Sequence, residues 1–160
     1  MNNDSDNIFG PVISRYTRQQ AIEDGILVDC EQGDLKGMAK EAGLDWPVAM
    51  TTAAFEAAVW PIARGEFDPA FAKKDNFLKH RWQDIKGRYW DVVYMLRVAI
   101  DALVRRNATL PRAEGNTQLI FGVHVVQPGK RGAPLMRLKS VAGPADDGSP
   151  CLTIMLPEED

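Results

Sequence analysis

Hydrophobic and polar positions change their period along this chain. Between residues 17 and 60 the apolar positions fall in short helical groups. Between 90 and 106 they follow one helical stripe, and from 118 onward they alternate. Thr17 with Gln20 three residues later is a capping-box pair, so a helix is predicted from there to about Asp24, stopped by Gly25. Residues 26–28 read as a short buried strand. Asp34 would cap a second short helix through Ala42, ended by Gly43 and weakened by Gly37. Thr51 or Thr52 opens a third, residues 53–60, which Pro61 stops. In it Ala53, Ala54, Ala57 and Ala58 allow close approach of a neighbour, while Phe55, Val59 and Trp60 supply bulk.

The most regular helix is predicted over residues 90–106. Val92, Met95, Leu96, Ala99 and Leu103 recur at i, i+3, i+4 spacing and form its core stripe. Asp91, Tyr94, Arg97, Asp101 and Arg105 line the opposite side, where the i,i+4 ion pairs Arg97–Asp101–Arg105 are each worth roughly 0.3 kcal/mol. After Leu110-Pro111 the period becomes two. Residues 118–127 put Leu119, Phe121, Val123 and Val125 on one face. Residues 135–141 form a second strand with Met136 and Leu138 together, and residues 151–156 a third with Leu152, Ile154 and Leu156 inward. Turn signals at 127–132 and 146–148 separate them. Three strands joined by short links predict an antiparallel meander.

The fold class is therefore α+β: an antiparallel sheet of three to five strands, the short N-terminal ones included, packed by three or four helices. At 160 residues, 45% hydrophobic and 26% charged, the chain suits one domain with a core of its own, needing neither disulfide nor metal. Residues 1–7 read as a loose tail, Gly10-Pro11 limits any strand in 8–14, and 63–88 reads as a mobile loop. The polar, acidic start carries no signal-peptide pattern, and no apolar run reaches the ~20 residues of a membrane span. Cys30 and Cys151 form no CxxC, so a reducing cytoplasm is the expected location.

A net charge of −3 argues against a general, non-specific DNA binder but leaves room for a local basic patch. Residues 73–88 supply one. Lys73, Lys74, Lys79, Arg81, Lys86 and Arg88 stand against Asp75 and Asp84, with Phe77 and Trp82 among them and Tyr89 following. Cations with interleaved aromatics fit single-stranded nucleic acid, and Arg with Trp also fits a protein hot spot. The plainer reading is a surface loop that docks Trp82 and leaves its charges in water. His80 and His124 have no metal-ligand spacing, no cofactor motif is present, and nothing around Cys151 would activate a thiolate toward a partner such as His124. Glu158-Glu159-Asp160 reads as a solvated acidic end.

Several segments taken together point to a family. They are Phe9-Gly10-Pro11-Val12-Ile13, then Tyr16-Thr17-Arg18 with Gln20-Ala21-Ile22 and Asp24-Gly25, and Leu27-Val28-Asp29. Gly87-Arg88 with Trp90-Asp91-Val92 comes next, and Asp147-Gly148, Pro150 and residues 153–160 close the pattern. On these the chain resembles an uncharacterised family of small bacterial proteins, often carried on plasmids and other mobile elements. The resemblance covers most of the chain, implies no catalytic residue, and places an insertion near residues 63–83.

Three functional readings are open. In the first, which the setting of the family favours, the protein is a non-enzymatic interaction protein of a mobile element, a counter-defence inhibitor whose partner is a host protein or another protein of the element. It would bind through Lys79, Arg81, Trp82, Arg88, Tyr94, Arg97 and Asp101. In the second it is a small enzyme or sensor for a nucleotide-like ligand. There Arg15, Tyr16 and Arg18 hold phosphate, and Arg88 and Asp91 complete the pocket. In the third it binds single-stranded nucleic acid through residues 73–88. None of the three calls for a metal or a cofactor.

Overall fold

The computed structural model describes residues 16–60, 84–107, 118–127 and 130–160. Within them the order is α1 (Arg18–Glu23), β1 (Leu27–Asp29), a 3-10 turn (Gly33–Leu35), α2 (Met38–Glu41), β2 (Val48–Thr51) and α3 (Thr52–Ala58). Then come α4 (Ile85–Asn107), β3 (Gln118–His124), β4 (Leu135–Pro144) and β5 (Pro150–Met155). The strands form a single sheet in the order β1-β2-β5-β4-β3. The fold is α+β. Three pairings are antiparallel, as the meander requires, but β2 and β5 run parallel, with Val48 opposite Leu152 and Met50 opposite Ile154. The sheet is thus mixed rather than wholly antiparallel. β5 completes the meander and also supplies the edge on which the β1–β2 pair docks.

Period-2 alternation places the core. Val48 and Met50 of β2, Leu152 and Ile154 of β5, Leu138 of β4, and Phe121 and Val123 of β3 face one side and are buried together. α4 lies against this side with Tyr89, Val92, Val93 and Leu96 fully buried. Ala54, Ala58 and Val59 of the α3 segment fill in beside it. Each such Val or Leu contributes roughly 1.5–3 kcal/mol by leaving water. The other side is also covered where β2 and β5 meet: Ala49, Cys151 and Met155 are buried there, and Ala21 of α1 is buried nearby. At the β3–β4 end this second side opens, and Ile120 and Leu135 are exposed.

Local signals explain the helix ends. Thr17 and Gln20 form the capping box of α1, and Gly25 follows with φ +72°. Thr51 caps α3 by accepting from the Ala54 N–H at 3.2 Å. Gly37 breaks the expected 34–42 helix: its φ of +81° is left-handed, so the segment divides into the 3-10 turn and α2. α4 begins at Ile85 rather than Trp90, because Asp84 accepts from the Gly87 N–H at 2.6 Å and starts the helix one turn earlier. The earlier start brings Arg88 and Tyr89 onto the core stripe. Met95, expected in that stripe, is instead 36% exposed, and Val93 takes the buried position.

The acidic end is not simply solvated. The Glu159 carboxylate accepts from the Thr51 hydroxyl and the Leu156 N–H, each at 2.7 Å, and the Lys139 ammonium donates to the Glu159 carbonyl. Lys139 is only 6% exposed, so this contact gives a buried ammonium an acceptor.

Candidate functional site

The residues expected to contact ligand or partner fall into separate places. Arg15, Lys79, Arg81 and Trp82, with most of the 63–88 loop and the 1–7 tail, lie outside the described residues. Of the phosphate group, Tyr16 is exposed and donates its hydroxyl to Asp24 at 2.7 Å, which raises its pKa above the ordinary phenol value. Arg18 donates to the Thr153 hydroxyl at 2.9 Å and to the Leu152 carbonyl at 3.4 Å. The N-terminus of α1 is filled from within. Asp146, in the β4–β5 turn, accepts from the Arg18 and Gln19 N–H groups at 2.7 and 2.8 Å, and Thr17 takes the Gln20 N–H. A carboxylate already stands where a phosphate would bind.

Arg88 stands on the other side of the sheet from Arg18. Thr153, which Arg18 reaches, alternates with the core-facing Leu152 and Ile154, whereas Arg88 lies under α4 at 2% exposure. The Arg88 Nε donates to the Val59 carbonyl at 3.1 Å and Nη1 to the Val126 carbonyl at 2.8 Å. Burial lowers its pKa to about 10, with the Asp91 charge acting against that shift. Arg88 thus pins the end of α3 and the end of β3 to α4. Asp91 is exposed one turn further on. Partial desolvation raises its carboxyl above the ordinary value and the Arg88 charge pulls it back. The two halves of the nucleotide reading are therefore not brought together.

Cys151 and His124 are also kept apart. Cys151 pairs with Gly143 at one end of β4 and His124 with Leu135 at the other, eight residues or ~26 Å along the strand. His124 is exposed, with its Nδ1 2.9 Å from the Ala133 carbonyl. Among the described residues no group of His, Cys, Asp and Glu is placed to hold a metal ion, and no helix is long and apolar enough to cross a membrane.

The structure does gather one surface from the predicted residues, the outer side of α4. Tyr94, Met95 and Val98 are exposed at 50%, 36% and 43%, and Ala102 continues the row one turn on. Trp90 stacks on Tyr94 with ring centroids 6.2 Å apart, which fixes the aromatic end. The border is held by hydrogen bonds. Arg97 meets Asp101 through two contacts of 3.0 Å and donates its Nη1 to the Gly43 carbonyl at 2.5 Å. Gly43 permits that approach: its φ is +92° and an added Cβ would lie 3.3 Å from Arg97 Nη1. The loop that Arg97 fastens also carries Trp46, exposed at 44%. Sequence reasoning found Tyr94, Arg97 and Asp101. It missed Met95 and Val98, although the same helical period assigns Val98 to the side of Asp91 and Ala102.

The chain belongs to a family of unknown function, DUF6573, whose model matches residues 6–160. No curated protein and no solved structure matches it.

Proposed function

We propose that this chain is a non-enzymatic interaction protein that engages other proteins through the outer side of α4. The observation that carries the reading is the exposed row Tyr94–Met95–Val98–Ala102, bordered by the fixed Arg97–Asp101 pair. An aromatic and two aliphatic anchors inside a charged rim have the composition of a protein-binding hot spot. A pre-fastened Arg97 loses little side-chain freedom on binding, which favours association. Two buried, unpaired thiols, Cys30 and Cys151, suit a reducing, cytoplasmic setting. In the finer form of this reading the partner is a host protein and the chain an inhibitor of host defence carried by a bacterial mobile element.

The test is capture from nuclease-treated bacterial lysate by the tagged full chain and by its Val98→Asp variant. A stoichiometric protein held by the natural chain and lost from the variant is the expected result, and its identity tests the finer reading directly. Equal capture by both chains would overturn the assignment of the surface.

A further inference from the structure

On the exposed side of α4 two pairs of complementary residues are spaced evenly about Val98. Asp91 lies seven residues before it and Arg105 seven residues after, each ~10.5 Å along the axis. Seven residues are two turns less about 20°, so both charges stay on the side of Val98. Both are exposed. The bulky Tyr94 and the small Ala102 stand at equal distances, four residues to either side. We propose that this face pairs with the same face of a second copy of the chain, with the two helices antiparallel about a twofold axis at Val98. The inference rests on α4 being the interaction surface, and names a partner that surface takes.

The pairing follows from charge and size. In a twofold antiparallel arrangement each position before Val98 comes level with its mirror position after it, and those near the centre of the face meet. Asp91 of each copy then faces Arg105 of the other, giving two ion pairs at the ends of the contact. Tyr94, held by Trp90, lies over Ala102, a large residue against a small one. Met95 and Asp101 lie about 60° to either side of Val98 and border the contact on opposite edges, the Asp101 charge balanced by Arg97. The parallel alternative sets Asp91 against Asp91 and Arg105 against Arg105, so like charges exclude it. An isologous contact of this kind closes at two copies. One helix face ~20 Å long buries less than the ~1,600 Å² of a standard interface, so the dimer is reversible, and another partner can displace the second copy.

Sedimentation velocity of the full chain over about 1–300 µM, the range suited to so small an interface, tests this. The natural chain should move from monomer to dimer with concentration. Val98→Asp should stay monomeric, and so should Asp91→Arg and Arg105→Asp taken singly, each checked for native circular dichroism. Asp91→Arg combined with Arg105→Asp should restore the dimer, a result that general damage to α4 would not give. A natural chain that is monomeric throughout, a dimer indifferent to Val98→Asp, or a double variant that remains monomeric would overturn the pairing. A monomeric chain that still captures a host protein through Val98 overturns the pairing and leaves the proposed function standing. A dimer restored by the charge exchange, in a chain that captures no other protein, keeps the pairing and overturns the host-partner reading.

Discussion

Cys30 and Tyr89 show what a fully buried position does to an ionisable group. Both have 0% exposure and they adjoin in the core. Burial pushes the Cys30 thiol up to about 12 from an ordinary 9.0, and Tyr89 is raised as well. A raised thiol pKa means the native state keeps its proton where the unfolded chain gives it up. The stability that Cys30 contributes is therefore complete below pH 9 and is lost as the pH climbs from there toward 12. Urea denaturation at a series of pH values between 8 and 10 should show stability falling, at a slope approaching ~1.4 kcal/mol per pH unit for one group. Cys30→Ala should flatten that slope. Arg88 meets burial differently, by donating to the Val59 and Val126 carbonyls, and guanidinium suits this because its donors diverge in a fixed fork.

Among the elements, α1 is the clearest case of local and distant signals meeting. Six residues make a poor helix alone, since nucleation is costly and most of the N–H groups lie in its first turn. Thr17 supplies one acceptor from within, and this is legible as a capping box. Asp146 supplies two more from across the molecule, and a residue 128 positions away leaves no local pattern to read. Asp146→Ala should cost about 1–2 kcal/mol by analogy with N-cap removal, and hydrogen exchange should accelerate at Arg18 and Gln19 before it does in α4. The same contrast divides the rest of the fold. The meander strands, the Thr51 cap and the stop at Gly25 are readable because alternation and capping are local. β2 is not recognisable as a strand, because three apolar residues between Pro47 and Thr51 carry no period. Its parallel pairing with β5 is set by contacts a hundred residues apart. On the exposed face of α4, Tyr94, Arg97 and Asp101 are readable from the sequence, and Met95 and Val98 are not. Met95 falls in the expected core stripe until the helix is anchored at Asp84 and its inward side is fixed by Arg88 and Tyr89, and Val98 is an apolar residue among the polar positions of the outer side.

At the scale of the whole molecule, Glu159 ties the segment after β5 back to the β2–α3 junction through Thr51 and Leu156. One carboxylate therefore supports a cap, a turn and, through the neighbouring main chain, the buried Lys139. Glu159→Ala should lower the unfolding free energy by about 1–3 kcal/mol, the range for loss of a charged acceptor from partly buried donors. A urea titration should show the midpoint move with an unchanged slope, because the surface exposed on unfolding stays the same.

β5 has a further consequence, for synthesis. It occupies the middle of the sheet, between β2 and β4, yet it is made after both. Without residues 150–155 the chain holds two strand pairs, β1–β2 and β3–β4, whose inner edges have nothing to bind. The sheet closes only when residues 150–155 clear the exit tunnel, so folding waits on that segment instead of advancing with translation. Until then two strand edges stay open to solvent, and chaperone cover at this stage should govern how much native protein a cell obtains.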